Sequence, residues 1–287
     1  MILKKMLFVA LLTVSLTCFG QIVNTDIDNY KTFKEGTSYF VKSDDESLNA
    51  YMNEFLADYW TVNPYKIIDA SELDATVGEH AYFVNFLEHH YENRSSTMAQ
   101  EYTLLQLTMF RELTEAKKKG KKRYPRDVLG TVELKYVEPN EKWEITPAEL
   151  RYAIRMLNNQ IDFVFEMNSS KNLNFKDFLE VVNDKKKAIV KEKTWYLNDE
   201  ALKSKVDSAE KIKKLYSYPF ELKSEEEIDA AVFNQEANVV YGKMIRLRTL
   251  YFYLLIDAET SELLYGRVTS GMFLDLVGPK FLKDVNK

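Results

Sequence analysis

Two stretches of the chain, residues 39–84 and 195–241, present the same order of predicted elements. Each begins with a short aromatic strand, continues through an amphipathic segment to a second strand, and ends with an acidic helix and a third strand. Similar residues recur at one constant spacing, namely Pro64, Tyr65, Ile67, Glu72, Leu73, Asp74, Ala75 and Val77 in the first stretch and Pro219, Phe220, Leu222, Glu227, Ile228, Asp229, Ala230 and Val232 in the second. A hydrophobic period does not demand matching Pro, Asp and Ala positions, so the pattern indicates an internal duplication.

The repeated stretches predict an internally duplicated α+β protein. Each copy is expected to form a strand-helix-strand-helix-strand unit, in mixed or antiparallel sheets with helices on one face. We expect a first half over residues 38–168 and a second half over 175–287, because residues 168–172 are polar and break the pattern. The alternative is that two ordinary strand–helix–strand units look alike because the same physics shapes both.

An amphipathic helix is predicted over residues 45–59, with its counterpart over 199–216. Apolar residues at spacings of three and four give each helix one buried stripe. The stripes are expected to be Leu48, Tyr51, Met52 and Phe55 in the first copy and Leu202, Val206 and Ala209 in the second. Pro64 and Pro219 then block helical continuation, and each is expected to start a strand.

Two further elements carry strong local signals. Thr146, Pro147 and Glu149 have the spacing of a capping box at the start of a helix. Near the other end of the chain, residues 250–256 and 263–268 predict a hairpin around the polar turn 257–262. This turn resembles the D-A-x-T-G-x-L turn of many exported bacterial β-meanders, with Ser261 where a Gly is usual.

Residues 1–20 have the pattern of an export signal. Lys4 and Lys5 form a short positive region, and residues 6–16 form an apolar run. The run is shorter than the roughly 20 residues that a membrane-spanning helix needs. The segment is therefore predicted to be a signal peptide.

Cleavage is expected between Gly20 and Gln21, followed by a polar lead-in over residues 21–37. The alternative is a lipid anchor on Cys18. Cys18 is the only cysteine, so the processed chain would have no disulfide and no thiolate metal ligand. We therefore expect a periplasmic or secreted protein that is held together by its apolar core.

Basic residues concentrate in one segment although the chain is acidic overall, with 44 acidic and 39 basic residues. The overall balance argues against a general nucleic-acid binder. The basic segment surrounds Gly120 and contains Lys117, Lys118, Lys119, Lys121, Lys122 and Arg123. Because like charges repel one another, such a block stays exposed. It predicts either a solvated loop or weak binding to an anionic surface.

All three histidines, His80, His89 and His90, lie in one region. They are the candidate residues for metal binding or general-base chemistry. Two histidines on a strand bind one metal at a spacing of two, whereas adjacent His89 and His90 would point to opposite faces. A solvated hairpin end is the alternative.

The common catalytic motifs are missing from the sequence. It has no nucleophile elbow, no zinc-protease motif and no phosphate-cradling glycine loop. Ser208 and Lys211 match S-x-x-K without its companion motifs. We expect an exported, non-enzymatic binding or envelope-assembly protein without a cofactor, whose partner is an envelope protein or an anionic surface. The alternative is a periplasmic hydrolase with a dispersed polar site. A ligand site is expected between the two copies.

The repeated units resemble small α/β modules of cell-envelope proteins, such as the amino-terminal domain of the translocation protein TolB. The likeness is one of architecture over about 45 residues per copy. The junction of Phe19, Gly20 and Gln21 and the aromatic, lysine-rich composition resemble uncharacterised exported proteins of Gram-negative bacteria. These resemblances imply an envelope location and assign no functional residue.

Overall fold

The computed structural model describes residues 27–76, 81–93, 100–115, 123–126, 128–137, 144–167, 175–247, 250–270 and 277–287. In the first unit these ranges contain α1 (Ile27–Glu35), β1 (Thr37–Val41), α2 (Glu46–Tyr59), β2 (Tyr65–Ile68), a 3-10 turn (Ala70–Glu72) leading into α3 (Leu73–Thr76), β3 (Ala81–Asn93), β4 (Gln100–Phe110), β5 (Glu112–Glu115), β6 (Arg123–Arg126), β7 (Gly130–Val137) and α4 (Pro147–Met167). In the second unit they contain α5 (Phe175–Glu192), β8 (Thr194–Asn198), α6 (Ala209–Lys213), β9 (Phe220–Lys223), α7 (Glu225–Phe233), β10 (Val239–Leu247), β11 (Leu250–Asp257), β12 (Leu263–Ser270) and α8 (Pro279–Asn286).

The two units follow the same path. The strand order is β2-β1-β3-β4-β7 in the first sheet and β9-β8-β10-β11-β12 in the second. In each sheet the first three strands of this order are parallel. The last two strands are added antiparallel. The predicted α+β class, the mixed sheets and the internal duplication are therefore confirmed.

The two prolines occupy equivalent places at the starts of β2 and β9, as predicted. The Ser38 backbone N–H donates to the Pro64 carbonyl at 2.8 Å, and the Trp195 N–H donates to the Pro219 carbonyl at 3.1 Å. Ser38 therefore occupies the position of Trp195. The match of Tyr39 with Trp195 in the sequence is therefore wrong by one residue. Such a shift matters because it moves a side chain to the other face of the strand.

The amphipathic helix of the first unit forms where it is predicted. Asp45 caps α2, since its carboxylate accepts from the backbone N–H groups of Ser47 at 2.9 Å and Leu48 at 3.2 Å. A carboxylate at a helix N-terminus satisfies free donors and complements the helix dipole. Leu48, Met52 and Phe55 are buried on the predicted stripe.

The counterpart segment in the second unit differs. The prediction of a helix over residues 199–216 is wrong. The α-helix in this segment, α6, covers Ala209–Lys213. Leu202 instead forms a parallel bridge with Val277 near the other end of the unit. Leu202 and Val206 are buried as expected, whereas Ala209 is exposed. Backbone hydrogen bonds to the distant Val277 replace the local helical hydrogen bonds here.

Two helices lie where the sequence analysis predicts none. Helix α1 occupies part of the polar lead-in, and α5 begins directly after the polar residues that interrupt the pattern. Phe175, Phe178, Leu179 and Val182 are buried on one side of α5, at the spacing of an amphipathic helix. The sequence therefore contained a signal for α5 that its lysine-rich surface obscured.

One continuous apolar core joins the two units. It includes Leu107 of the first sheet, Leu157 of α4, Phe178 of α5 and Leu254 of the second sheet. Helices α4 and α5 thus connect the two sheets. A second cluster, on the other face of the second sheet, packs against α8 through residues such as Phe281.

Helix α5 also covers the outer edge of the second sheet. The Asn183 side-chain amide donates to the Gly266 carbonyl, and its oxygen accepts from the Gly266 N–H, both at 2.8 Å. An edge strand otherwise exposes such unpaired backbone groups. The carboxamide of Asn183 therefore takes the place of a neighbouring strand beside β12.

Candidate functional site

A crevice opens where β8 and β10 separate. These strands pair only over residues 194–196 and 239–241. Strands β9 and β10 lie on opposite sides of β8, and α/β sheets bind ligands at such a switch in strand order, outside the carboxyl ends of the strands. The cavity at this point has a volume of about 490 Å³ and is lined by residues of both units. We call it the seam crevice.

The first unit lines the seam crevice with the end of β7 and the start of α4. Thr146 and Glu149 form the predicted capping box, since the Thr146 N–H donates to Glu149 Oε2 at 3.0 Å and the Glu149 N–H donates to Thr146 Oγ1 at 3.1 Å. Lys135 Nζ donates to the same carboxylate oxygen at 2.9 Å. Lys135 and Glu149 therefore neutralise each other on this wall.

The second unit supplies an acidic and a basic side chain, Asp229 and Lys243. Lys243 Nζ lies 5.5 Å from the centroid of the Tyr152 ring. Burial lowers the pKa of Lys243. Burial and then the nearby Glu149 raise the pKa of Asp229. Within the described ranges neither of the two has a hydrogen-bond or ion-pair partner, so both charges are available to a ligand.

Trp195 forms part of the opposite wall. Its side chain is 1 % exposed, and its Nε1 has no hydrogen-bond partner among the described residues. A Cβ on Gly242 would lie 3.9 Å from Nε1, so the missing side chain leaves space beside this donor. In the first unit Ser38 takes the equivalent place, and its Oγ donates to Asn63 at 2.8 Å. A buried N–H without an acceptor is unfavourable, which points to an acceptor on a ligand.

Tyr196, on the same strand, is held by two charged side chains of the second unit. Its hydroxyl donates to Glu236 Oε1 at 2.9 Å, and Lys223 Nζ lies 5.2 Å from its ring centroid. Burial raises the pKa of this phenol. The Tyr196 ring therefore forms a fixed aromatic wall.

The predicted histidine site is only partly within the described residues. His89 and His90 belong to β3, where they pair with Leu104 and Thr103, so the expected hairpin end at this point is wrong. His80 lies outside the described ranges. No group of three or more potential metal ligands occurs in the part of the chain that the structure describes.

The other predicted site residues fall mostly outside the described ranges. Arg123 lies in β6, opposite Glu115 of β5. The remaining basic residues Lys117, Lys118, Lys119, Lys121 and Lys122 and the cleavage residues Gly20 and Gln21 are not described. Lys211 of the S-x-x-K pattern donates to Asp207 Oδ1 at 2.6 Å, so it is already engaged in an exposed ion pair.

The residues of the seam crevice were not predicted from the sequence. Asp229 and Lys243 lie on α7 and β10, and Trp195 lies on β8. No short motif joins them. The duplication was a possible signal, but the sequence matched Trp195 with Tyr39 and not with Ser38, the small polar residue that takes its place in the other copy.

Comparison of the chain with protein-family models, curated proteins and solved structures gives no match. Among the helices of the described ranges, none combines the length and apolarity that crossing a membrane requires.

Proposed function

We propose that this chain is an exported binding protein that holds a small ligand in the seam crevice. The observation that carries the proposal is Trp195, a residue that lines a cavity between the two repeats and whose buried N–H has no acceptor within the described residues. Ligand sites are commonly concave, aromatic-lined and equipped with a few directed polar groups. The seam crevice has each of these properties.

The export part of the proposal rests on residues 1–20. Their charge and hydropathy pattern supports cleavage after Gly20. Amino-terminal sequencing of the exported chain should then start at Gln21. Lipid attached to Cys18 would contradict release of the processed chain.

The binding protein would act in envelope assembly if the basic segment around Gly120 binds an anionic surface. The support is its charge density alone. Replacement of its five lysines by Gln should then weaken envelope association, and so should added salt, which screens exposed charges beyond about 8 Å at physiological ionic strength. Unchanged fractionation after both treatments would leave a solvated loop.

A hydrolase is the second candidate, and one observation favours it. The pKa of Asp229 is raised and that of Lys243 is lowered in the same crevice. Opposed shifts of this kind occur at acid–base sites. Turnover separates the two functions, because a hydrolase releases a new product from its ligand and a binding protein returns the ligand unchanged.

The binding proposal can be tested by filling the seam crevice. Gly242→Leu places a side chain beside Trp195, whereas Gly242→Ala adds a single carbon at an ordinary contact distance of 3.9 Å. A screen of small polar and aromatic compounds should identify binders that shift the Trp195 indole signal in a ¹H–¹⁵N spectrum. Gly242→Leu should abolish these shifts, and Gly242→Ala should retain most of them.

The Trp195→Phe variant lacks the Trp195 indole, so the signal that disappears from its ¹H–¹⁵N spectrum is that of Trp195. The chain has three tryptophans, and Trp60 Nε1 already donates to Asn63 at 2.9 Å, so its indole signal is an internal reference. A screen in which no compound moves the Trp195 signal, or in which Gly242→Leu binds as well as the wild type, would contradict the proposal.

A further inference from the structure

Strand β10 has an unpaired edge inside the seam crevice. Beyond Tyr241 it continues to Leu247, and over this length it pairs with β11 on one side. On its other side, no described strand pairs with it after Tyr241. Gly242 and Lys243 of this edge line the cavity. A free strand edge beside a cavity is the geometry that binds an extended peptide by strand addition.

The charges at this edge have both signs. Lys243 is half-buried on the edge strand, and Asp229 is exposed on the neighbouring helix α7. The two interact electrostatically without forming an ion pair. Lys135 and Glu149, in contrast, are joined at 2.9 Å. Among the described lining residues, the crevice therefore offers its ligand one ammonium without an ion-pair partner, that of Lys243, and two such carboxylates, those of Asp229 and Glu225.

Partial desolvation of these two charges explains what a ligand would gain. Removal from water penalises the charged form of each group. A ligand that brings a carboxylate to Lys243 and an ammonium to Asp229 relieves that penalty at both places. The Trp195 N–H adds a donor for a carbonyl oxygen, which every peptide bond carries.

We propose that the seam crevice binds a short peptide with free, charged ends as an added strand beside β10. Lys243 binds its carboxylate, Asp229 binds its ammonium, and Trp195 Nε1 donates to one of its carbonyl oxygens. This inference rests on the proposed function, in that the seam crevice must be the ligand site. The cavity of about 490 Å³ is within the usual range for a small ligand.

The test is titration of the full-length chain with trialanine by calorimetry, beside its amidated and its N-acetylated forms. We expect trialanine to bind and each blocked form to bind about tenfold or more weakly, because a hydrogen bond to a charged group contributes about 1.5–3 kcal/mol. Lys243→Gln should weaken the binding of trialanine but should have little further effect on the binding of the amidated peptide. Asp229→Asn should behave in the same way with the N-acetylated peptide.

Lys66→Gln and Asp58→Asn are matched controls, because both residues are exposed in the first unit. They should leave trialanine binding unchanged. On binding, the Trp195 indole signal should move downfield as its N–H gains an acceptor. Equal weakening of trialanine and its amide by Lys243→Gln would overturn the assignment of the carboxylate. Unchanged binding by Gly242→Leu would place the peptide elsewhere and overturn the inference.

The two proposals fail in different ways. If other compounds move the Trp195 signal and trialanine does not bind, the peptide inference is wrong and the binding function stands. If free alanine binds as tightly as trialanine, the added strand is wrong, because a single amino acid makes no strand ladder. If no compound and no peptide enters the crevice, both proposals are wrong.

Discussion

Arg151 Nε donates to the hydroxyl of Ser261 at 2.8 Å and so ties the long helix of the first unit to a hairpin turn of the second. The Arg151 side chain is 2 % exposed. Its Nη2 donates to the carbonyls of Val232 and Ala258, both at 2.8 Å. Burial lowers the pKa of this guanidinium. One side chain of α4 therefore satisfies acceptors at the end of α7 and in the β11–β12 turn.

Arg151→Met should destabilise the protein by about 3 kcal/mol or more, because it leaves buried acceptors without donors and charged hydrogen bonds contribute about 1.5–3 kcal/mol each. Urea unfolding measures the loss. Arg155→Met, one turn later on α4, is the matched control. Arg155 reaches Glu262 only at 3.9 Å, so its replacement should have a smaller effect. Equal losses for both variants would contradict the role given to Arg151.

Ser261 carries a separate prediction, because its φ of 55° lies in the left-handed region that favours glycine. Both Ser261→Ala and Ser261→Gly remove the hydroxyl that Arg151 contacts. The glycine variant also relieves the backbone strain. Ser261→Gly should therefore be more stable than Ser261→Ala by about 1 kcal/mol in thermal or urea unfolding. An alanine variant as stable as the glycine variant would show that this turn is not strained.

The resemblance of this turn to D-A-x-T-G-x-L correctly predicted the turn. It did not explain why Ser occupies the position of the usual Gly. The sequence shows that Ser261 replaces a usual Gly, and the φ value shows why Gly is usual there. The reason for Ser is Arg151, which lies 110 residues earlier. A pattern read over a dozen residues contains no information about such a distant contact.

The same distinction explains which elements were predictable. The capping box of Thr146 and Glu149, the helix that begins near Asp45 and the strand starts after Pro64 and Pro219 follow from residues that are near in sequence, and all were predicted. The helix predicted over residues 199–216 does not form because Leu202 makes an isolated β-bridge with Val277, which is distant in the sequence. Tertiary pairing overrode local propensity there.

The residues of the seam crevice could not be predicted from the sequence, for a different reason. Asp229 and Lys243 are ordinary surface residue types in the sequence. Their significance comes from their place in the crevice and from the lack of ion-pair partners for them among the described residues. The one-residue shift between the copies also concealed Trp195. Once Ser38 is placed opposite Trp195, the indole N–H, which has no acceptor in the described part of the chain, becomes the clear difference between the repeats.

Gly266 leads to a prediction about the packing of α5. A Cβ at this position would lie 2.3 Å from Leu179 Cδ2, far closer than two carbons can approach. Gly266→Ala should therefore destabilise the protein by about 1–3 kcal/mol, the usual penalty for overpacking. Unfolding by urea measures the change. The double variant Gly266→Ala with Leu179→Ala should lose less than the sum of the two single variants, because the smaller side chain removes the clash.

Strict additivity of the two changes would contradict this close approach. Gly130→Ala is an independent comparison within the first unit. Its Cβ would lie 2.8 Å from Leu157 Cδ1, a milder overlap with the end of a flexible side chain. It should therefore destabilise the protein less than Gly266→Ala.

Asp162 of α4 leads to a prediction about pH. Burial, and then the nearby Glu166, raise the pKa of its carboxyl above the ordinary value of 3.8, against opposing effects of Lys34 and of Asn158, whose amide donates to it at 3.1 Å. The folded state therefore holds this proton more tightly than the unfolded state does. The resulting stability is fully present below the ordinary pKa and is lost as pH rises through the raised one.

Asp162→Asn should accordingly be more stable than the wild type at pH 7, where the wild type buries a charge. This advantage should shrink as the pH falls through the raised pKa toward 3.8, because the wild-type carboxyl then becomes neutral as well. The measurement is the free energy of unfolding in urea for both proteins between about pH 7 and pH 4.5, where the other carboxyls cancel in the difference. Glu166→Gln removes one cause of the shift and should move the same dependence to lower pH. A difference between wild type and Asp162→Asn that stays constant across this range would show that Asp162 is not desolvated in the folded protein.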